Sequence, residues 1–368
     1  MVSAHLISDE PQFSELEPIW NALLASSGGN SVFQTWEYIQ QWRQTCGQNF
    51  DLRILVARDS ESKAIRGIAP FMAGKGHTRA RSQVRHLSFL GQLSESASDY
   101  GDFLIEPGFE ELVVREFARY VVQEMADDWS LLYLPVSRAD SSTISGFVEN
   151  LKDFGVRPRL IHHRPAPFVE LPADWDTFLK SKSRNMRKKI KRSMSKLEEK
   201  YETRLLTAGE DLPLEEGLEK LIELNQMRWG EEAQSFHTPE FTEFHQRLAS
   251  EFATKGWLSL RFLVLDGEFA AAQYDFVYGN KAWGFQAGWN PKFAEDKVSR
   301  ALISYSLRDF IAAGLTEYDF LAGDAEYKTH WASVNREVFD LEIANPRCLR
   351  AQLFSVVRKF RQTDRKVA

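Results

Sequence analysis

The chain has 368 residues, of which 43% are hydrophobic and 27% are charged, and its formal net charge is −6. One hydrophobic core rarely serves more than about 250–300 residues, so this length predicts two domains. The negative charge argues against nucleic-acid binding over the whole surface, although it does not exclude local basic patches.

Three further features of the composition bear on the environment of the protein. The first ten residues lack the basic flank and the apolar segment of a signal peptide, and no run approaches the roughly 20 apolar residues that span a bilayer. The two cysteines, Cys46 and Cys348, are far apart in sequence and predict neither a disulfide framework nor a cysteine zinc site. We therefore expect a cytoplasmic protein without a membrane span and without a metal.

The N-terminal part alternates helical and strand patterns. Apolar spacing predicts three helices, at 13–24, 36–42 and 109–125. The predicted strands are 52–57, 64–72, 86–90, 100–105 and 130–134. This mixture of elements predicts an α/β arrangement.

Two helices are predicted between residues 174 and 201, and the second is strongly basic. Its apolar residues recur at helical spacing from Met186 to Leu197, while cations cover the rest of its first turns. The cations are Arg184, Arg187, Lys188, Lys189, Lys191 and Arg192. Either this is a solvated connecting helix, or Arg184–Arg192 binds a polyanion: a nucleotide phosphate, tRNA, an anionic lipid head group or an acidic glycan.

The C-terminal part begins with helices at 214–229 and from Pro239, and continues as an antiparallel meander. Strands are predicted at 258–265, 269–278 and 282–287, joined by the two-residue turns Asp266-Gly267 and Gly279-Asn280. A polar loop at 292–300 then leads into a helix that ends at Gly314, followed by a strand at 317–321. The same order of elements occurs in the N-terminal part without residue identity, which indicates a weak repeat.

The segment Ala294–Leu302 is a candidate phosphate site, because a strand there leads into a helix whose first N–H groups lack internal partners. We expect the N–H groups of Ser299, Arg300 and Ala301 to face a cleft. The alternative is a polar loop that binds nothing. The predicted donor-binding residues are Lys297, Val298, Ser299, Arg300 and Ala301.

A second candidate segment follows the last predicted strand, from Asp319 to Trp331. Tyr327 is a candidate general acid for a leaving thiolate, and Lys328 is a candidate partner for an anionic group. The aromatic residues of this segment have an equally plausible structural role at the base of the sheet.

The sequence from Glu317 to Trp331 resembles the C-terminal signature of the CelD/BcsL-like acetyltransferase family of the GNAT superfamily. The matching residues are Asp319, Gly323, Tyr327, Lys328 and Trp331. Arg228-Trp229, the basic helix, Ser31–Trp36 and Ser98–Phe103 are also similar to that family, so the resemblance covers nearly the whole chain.

This resemblance implies an α/β (α+β) fold of two tandem GNAT-like domains, each a mixed, mostly antiparallel sheet flanked by helices. The expected divisions are a degenerate first domain at 1–172, basic connecting helices at 173–204, a donor-binding domain at 205–350 and a basic helix or tail at 351–368.

It also implies transfer of an acyl group, expected to be acetyl, from acyl-CoA to an amine or hydroxyl of a small-molecule or glycan acceptor, in polysaccharide or cell-envelope precursor synthesis. Asp275 or a water would take the acceptor proton, and a β-bulge within 269–278 would present an N–H to the thioester. The substrate-binding residues would be Arg228, Trp229, Asp319, Lys328 and Trp331.

Two alternatives stay open: an aminoacyl-tRNA-dependent transferase of the related FemABX type, and a non-catalytic binding module. The loop Lys297–Leu302 lacks the glycine of ordinary acyl-CoA loops.

Overall fold

The computed structural model describes residues 1–75, 84–92, 98–230, 236, 238–332, 334–348 and 350–352. These residues form two compact units. Unit 1 comprises Met1–Arg164 and the described residues from Glu337 onward, and unit 2 is Pro165–Arg336. Among the described helices, none is long and apolar enough to cross a membrane. Nor do the described residues bring together three or more His, Cys, Asp or Glu side chains that could hold a metal ion.

Unit 1 contains two sheets and five helices in its described part. The helices are α1 Glu10–Ser14, α2 Glu17–Ser26, α3 Trp36–Thr45, α4 Glu110–Gln123 and α5 Ser142–Asp153. The strands are β1 Val2–Ile7, β2 Asp51–Leu52, β3 Ile54–Asp59, β4 Ile65–Ala69, β5 Phe71–Lys75, β6 Arg85–Phe89, β7 Leu104–Ile105, β8 Leu131–Arg138 and the start of β9 Arg159–Glu170. A short 3-10 helix, Val32–Gln34, precedes α3.

The strands of unit 1 pair mostly antiparallel. One sheet has the order β1-β3-β4-β7, and a second contains β2, β5, β6 and β8 in that order. Helices α4 and α5 cover the core with Val113, Phe117 and Phe147, and Phe103 packs against Phe147 with a ring-centroid distance of 5.0 Å. Burial of such aromatic side chains is the main stabilising contribution in this unit.

Unit 2 contains one mixed sheet flanked by helices. The helices are α6 Trp175–Ser181, α7 Arg184–Lys200, α8 Leu214–Trp229, α9 Pro239–Thr254, α10 Val298–Ala312 and α11 Glu326–Trp331. The strands are β10 Thr203–Thr207, β11 Leu258–Leu265, β12 Glu268–Tyr278, β13 Lys281–Trp289, β14 Glu317–Asp319 and the start of β15 Val334–Ala344. The sheet order is β10-β11-β12-β13-β14 followed by the end of β9.

The meander of unit 2 confirms the predicted hairpin turns. Asp266 and Gly267 have φ values of 48° and 82°, and Gly279 and Asn280 have values of 61° and 60°. Two successive residues with positive φ are what a two-residue type I′ turn requires. The strands β11, β12 and β13 pair antiparallel. Strands β13 and β14, which precede and follow α10 along the chain, pair parallel.

Local signals placed several helix ends correctly. Helix α8 has the predicted bounds, and α9 begins after Thr238, whose hydroxyl accepts a hydrogen bond from the N–H of Phe241 (3.2 Å). The first predicted helix is divided, because Pro11 and Pro18 each start a separate helix, α1 and α2. The predicted loop 292–300 is a 3-10 helix at Pro291–Asp296 followed by the first turn of α10.

The observed units differ from the expected domain limits in three places. The first unit ends at Arg164, where residue 172 was expected. Helices α6 and α7, expected as connectors, belong to unit 2, where Phe178, Met186 and Ile190 pack in one apolar cluster with residues of α10. The end of β15 pairs with β8 and therefore lies in unit 1. The basic helix or tail expected at 351–368 lies outside the described residues beyond residue 352.

Candidate active site

A cleft opens in unit 2 where the parallel strands β13 and β14 separate. The two strands pair only from Lys281 to Trp283 with Glu317 to Asp319, and β14 ends there. Strand β13 continues to Trp289 alongside β12. In α/β sheets, ligands bind in the crevice beyond the carboxyl ends of such strands. The cleft therefore lies at the usual ligand-binding position of a β-α-β unit.

An extra residue in β13 lies beside this opening. Tyr274 of β12 pairs with Gln286, but the next residue, Asp275, pairs with Gly284, so Phe285 is left as a bulge. A bulge was expected within 269–278, and β12 does contain one, but the bulge that borders the cleft lies in β13. Strand β12 has its own irregularity at Ala270, opposite β11 and away from Asp275. A bulge bends its strand and redirects neighbouring groups.

Two connected cavities occupy the cleft. The first, of about 340 Å³, is bordered by the start of α10, the end of β13 and α11. The second, of about 250 Å³, extends over the bulge towards Asp275. The residues that border both are Arg228, Ala287, Ser299, Ile303 and Tyr327. Because they share these walls, the cavities are parts of one site; the first is named the donor cavity and the second the acceptor cavity, after the roles proposed for them below.

Asp275 lies at the floor of the acceptor cavity with no exposed surface. Its carboxylate accepts hydrogen bonds from the Gln273 amide (2.7 Å) and the Tyr318 hydroxyl (2.9 Å). Burial raises the pKa of Asp275 to about 7, and the two hydrogen bonds and the positive charge of Arg261 only partly oppose this. A carboxyl group with this pKa exchanges a proton readily near neutral pH, as a general base must.

The sequence interpretation missed Gln273, Tyr318 and Gly284. The amide of Gln273 also donates to the Tyr318 hydroxyl (2.9 Å), and Ser306 of α10 donates to the Gln273 carbonyl (3.2 Å). A Cβ atom on Gly284 would lie 2.5 Å from the Tyr318 hydroxyl oxygen. A glycine within a strand is a known signal of close approach, and it was the available clue to this cluster.

Tyr327 and Arg228 lie where the cavities join. Tyr327 is 39% exposed, and its pKa is raised by burial and by the charge of Asp275, against the opposing charge of Arg228. The Arg228 guanidinium lies 5.8 Å from the centroid of the Tyr327 ring and 4.4 Å from that of Trp229. Burial lowers the pKa of Arg228, and none of the carboxylates in the described residues forms an ion pair with it. Trp229 borders the acceptor cavity and is 45% exposed.

The start of α10 forms one wall of the donor cavity. Lys297, Val298, Ser299 and Arg300 border it, as predicted, but Ala301 is fully buried in an apolar cluster and does not. The prediction that three N–H groups are unpaired was wrong for two of them. The N–H groups of Arg300 and Ala301 donate to the Lys297 carbonyl (3.0 and 3.2 Å), because α10 begins earlier than expected. Among described groups, no backbone acceptor pairs with the N–H of Ser299.

Three of the residues expected to bind substrate have other contacts. Asp319 is fully buried and borders neither cavity; its carboxylate accepts hydrogen bonds from Arg336 (2.7 Å) and from the N–H of Leu321 (2.7 Å). Lys328 borders the acceptor cavity, but its ammonium group donates to the carbonyls of Leu321 (3.1 Å) and Ala322 (3.0 Å). Trp331 is buried and borders the donor cavity.

The family comparison matches a range that lies within unit 2. Residues 184–329 match the family model of the acetyltransferase (GNAT) domain. This range contains all of α7, every residue that borders the acceptor cavity, and all those that border the donor cavity except His330 and Trp331. No curated protein was found to match the chain.

Several solved structures share the fold at low identity. FemX is 12% identical, with a TM-score of 0.63 over 96% of this chain and 99% of FemX. L-PGS from Bacillus licheniformis is 14% identical, with a TM-score of 0.55 over 96% of this chain and 98% of that chain. A tandem GNAT protein from the clavulanic acid biosynthesis pathway is 12% identical, with a TM-score of 0.50 over 93% of this chain and 98% of that chain. These comparisons confirm the predicted fold class, and together with the family match they support a GNAT acetyltransferase domain within a chain that has the fold of FemX and of a tandem GNAT protein.

Proposed function

We propose that unit 2 transfers an acyl group from an acyl thioester in the donor cavity to an amine or hydroxyl nucleophile in the acceptor cavity. The observation that carries this proposal is the shared wall of the two cavities. Tyr327 borders both, and Asp275 lies only at the floor of the acceptor cavity. A proton acceptor on the nucleophile side and a proton donor at the junction are the two groups that acyl transfer needs.

The donor cavity suits acyl-CoA, which we propose as the thioester donor. The start of α10 presents the positive end of a helix dipole, and Lys297 and Arg300 add two cations beside it. A pyrophosphate would be bound there, with the pantetheine arm directed along Ala287 of β13 towards the bulge. The N–H of Ser299 would supply one backbone donor.

The chemistry follows from the order of groups along the cleft. The acceptor nitrogen or oxygen attacks the thioester carbonyl carbon, and its proton passes to the Asp275 carboxylate directly or through a water. The carbon–sulfur bond then breaks as the new carbon–nitrogen or carbon–oxygen bond is completed, and the departing thiolate takes the phenolic proton of Tyr327. Burial favours the neutral phenol because it raises the pKa of Tyr327.

Two residues that border the acceptor cavity, Arg228 and Trp229, support the proposed glycan or cell-envelope precursor. Trp229 offers an exposed indole ring at the acceptor cavity, and the Arg228 guanidinium lies over it. Arg228 donates one long hydrogen bond to the Ala287 carbonyl (3.5 Å), which leaves further N–H groups for a polar substrate. We further propose that the transferred group is acetyl and that the reaction serves polysaccharide synthesis, as the resemblance to the CelD/BcsL-like family implies.

The test is thiol release from acetyl-CoA with a panel of amino sugars and amino alcohols as acceptors. We expect acetyl-CoA to raise the melting temperature of the protein, because a ligand that binds the folded state stabilises it. Tyr327→Phe should lower kcat by about 10²-fold or more, as loss of a general acid does, without weakening donor binding. Tyr120→Phe, in α4 of unit 1, is the matched control. No thermal shift and no thiol release with any acyl-CoA would refute the proposal.

A further inference from the structure

The first half of α7 carries six cations that have no acidic partner among the described residues. Arg187 is partly exposed and the other five are exposed. They are Arg184, Arg187, Lys188, Lys189, Lys191 and Arg192. In the second half of the same helix, Lys196 and Lys200 both pair with Asp296, at 2.8 and 3.0 Å. The helix therefore has one neutralised end and one that is purely cationic.

This arrangement is unfavourable for the isolated helix. Positive side chains near a helix N-terminus oppose the helix dipole, which favours anions there. Pairs of like charge three or four residues apart, such as Arg184 with Lys188 and Lys188 with Arg192, cost about 0.2–0.5 kcal/mol each. The chain as a whole is acidic, with a net charge of −6, so the cluster does not reflect a generally basic surface. An anionic partner would remove this local cost.

The cationic segment is built onto the wall of the donor cavity. Met186 and Ile190, on the opposite face of α7, are buried in the same apolar cluster as Trp331. The Trp331 side chain borders the donor cavity, and its carbonyl accepts a hydrogen bond from Lys182 (2.7 Å), just before α7. A partner bound to the cations would therefore be held by the same helix that supports this wall of the donor cavity.

We propose that the first half of α7 is the docking surface for a small acidic carrier protein that presents the acyl group as a thioester on a flexible pantetheine arm. The inference rests on the proposed acyl transfer and names the macromolecule that delivers the donor. The arm would enter the donor cavity between α10 and α11 while acidic side chains of the carrier pair with the cations of α7.

The pattern of the segment favours a protein over single-stranded RNA, a membrane surface or free CoA. From Arg184 to Arg192 the helix rises only about 12 Å, at 1.5 Å per residue, which matches a compact acidic surface. Single-stranded RNA is usually bound with stacked aromatic residues between the cations, and this segment contains none. Interfacial membrane helices place large apolar residues beside the cations, whereas here Met186 and Ile190 are buried in the protein. The phosphates of free CoA would be served by Lys297 and Arg300 at the cavity itself.

The experiment compares two donors with one acceptor: acetyl-CoA, and an acetyl-loaded acyl carrier protein from bacterial fatty-acid synthesis. The variant is Arg187→Glu/Lys191→Glu, and the control with the same charge change is Arg115→Glu/Arg157→Glu in unit 1. We expect the α7 variant to lose about 10-fold or more in kcat/KM with the carrier at low salt and to stay within about 2-fold with acetyl-CoA. Added salt should weaken use of the carrier by the wild-type protein only.

Each contrary result is distinct. If the wild-type protein uses acetyl-CoA but never the carrier, the docking inference is wrong and the proposed acyl transfer stands. If the α7 variant slows both donors equally, the cations act on the donor cavity and the docking inference is again wrong. If neither thioester reacts and the variant instead loses binding of an aminoacyl-tRNA, both proposals are wrong and the segment is a nucleic-acid site.

Discussion

The Tyr318 hydroxyl donates a 2.9 Å hydrogen bond to the Asp275 carboxylate across an intervening strand. Tyr318 belongs to β14 and Asp275 to β12, and β13 lies between them in the sheet. The contact is made over Gly284, where any side chain would meet the Tyr318 ring. The proposed base, Asp275, is therefore held by Gln273 of β12 and Tyr318 of β14. The contact with Tyr318 is possible because Gly284 of β13 has no Cβ atom.

Replacing Asp275 by Asn should remove the base and retain the shape of its site. We expect kcat for thiol release to fall by about 10²–10⁴-fold, the usual contribution of a general base. In the wild-type protein kcat should rise with pH about a midpoint near 7, because the pKa of Asp275 lies there. A wild-type profile that is flat from pH 5 to 9, or an Asn variant with normal kcat, would show that Asp275 is not the base.

The same carboxyl group should make stability depend on pH. In the unfolded chain an Asp loses its proton near pH 4, but burial holds the folded pKa at about 7. Between these values the folded state binds more protons, so its free energy of unfolding should fall as pH rises from about 4 to 7. Asp275→Asn should flatten this part of the urea-unfolding profile. A decline equal to that of the wild-type protein would assign the pH dependence to other groups.

Gly284→Ala should disturb the site through Tyr318. The new Cβ would lie 2.5 Å from the Tyr318 hydroxyl oxygen and 3.0 Å from the adjoining ring carbon, so the ring must move. We expect a loss of about 1–3 kcal/mol in stability, typical of overpacking, and a lower kcat. Adding Tyr318→Phe should recover part of the stability, because it removes the nearest atom. Gly28→Ala, where no atom lies within 4 Å, is the control.

The hairpin turns could be predicted from the sequence, whereas the contact between Asp275 and Tyr318 could not. The turn at Asp266-Gly267 and the cap at Thr238 depend on residues a few positions apart, so local chemistry predicts them. Tyr318 and Asp275 are 43 positions apart, and their contact depends on strand order. Nothing local indicates which strand lies between them.

The position of the bulge was missed for a related reason. Its extra residue, Phe285, can be assigned only when β12 and β13 are paired in register. The buried position of Asp319 was also not foreseen, because resemblance selects a residue without its contacts, and this carboxylate pairs with Arg336 inside the protein. The motif selected Tyr327 and Arg228 without knowledge of the strand order; both border the two cavities, and their roles stay predictions.

Arg228 should tune the proton donor. Its charge lowers the pKa of Tyr327 against the effect of burial, so Arg228→Met should raise that pKa and slow protonation of the leaving thiolate. We expect kcat to fall by about 10-fold and the alkaline limb of the pH–rate profile to move to higher pH. Arg228→Lys should restore the position of that limb better than it restores KM, because lysine keeps the charge and loses the planar stacking on Trp229. An unmoved alkaline limb in the Met variant would limit Arg228 to substrate contact.

Asp296 should stabilise the wall of the donor cavity through a buried carboxylate. It accepts from Lys196 (2.8 Å), Tyr201 (2.8 Å) and Lys200 (3.0 Å), and these contacts lower its pKa to about 2. A lowered carboxyl pKa stabilises the fold above about pH 4, and this contribution is lost as the pH falls towards 2. At pH 7 we expect Asp296→Asn to cost about 1–2 kcal/mol, because the two lysines released are half exposed and regain water.

The same change should reach the donor site, because Asp296 directly precedes Lys297 and the start of α10. We expect Asp296→Asn to raise KM for acetyl-CoA several-fold and to leave the midpoint near pH 7, set by Asp275, where it was. The control is Asp309→Asn, which breaks the 2.7 Å ion pair of a 40% exposed carboxylate with Arg261 and should cost less than about 1 kcal/mol. Equal losses of unfolding free energy in the two variants would mean that the buried Asp296 contributes no more to stability than the partly exposed Asp309. An unchanged KM would show that neither the geometry of α10 nor donor binding depends on the Asp296 carboxylate.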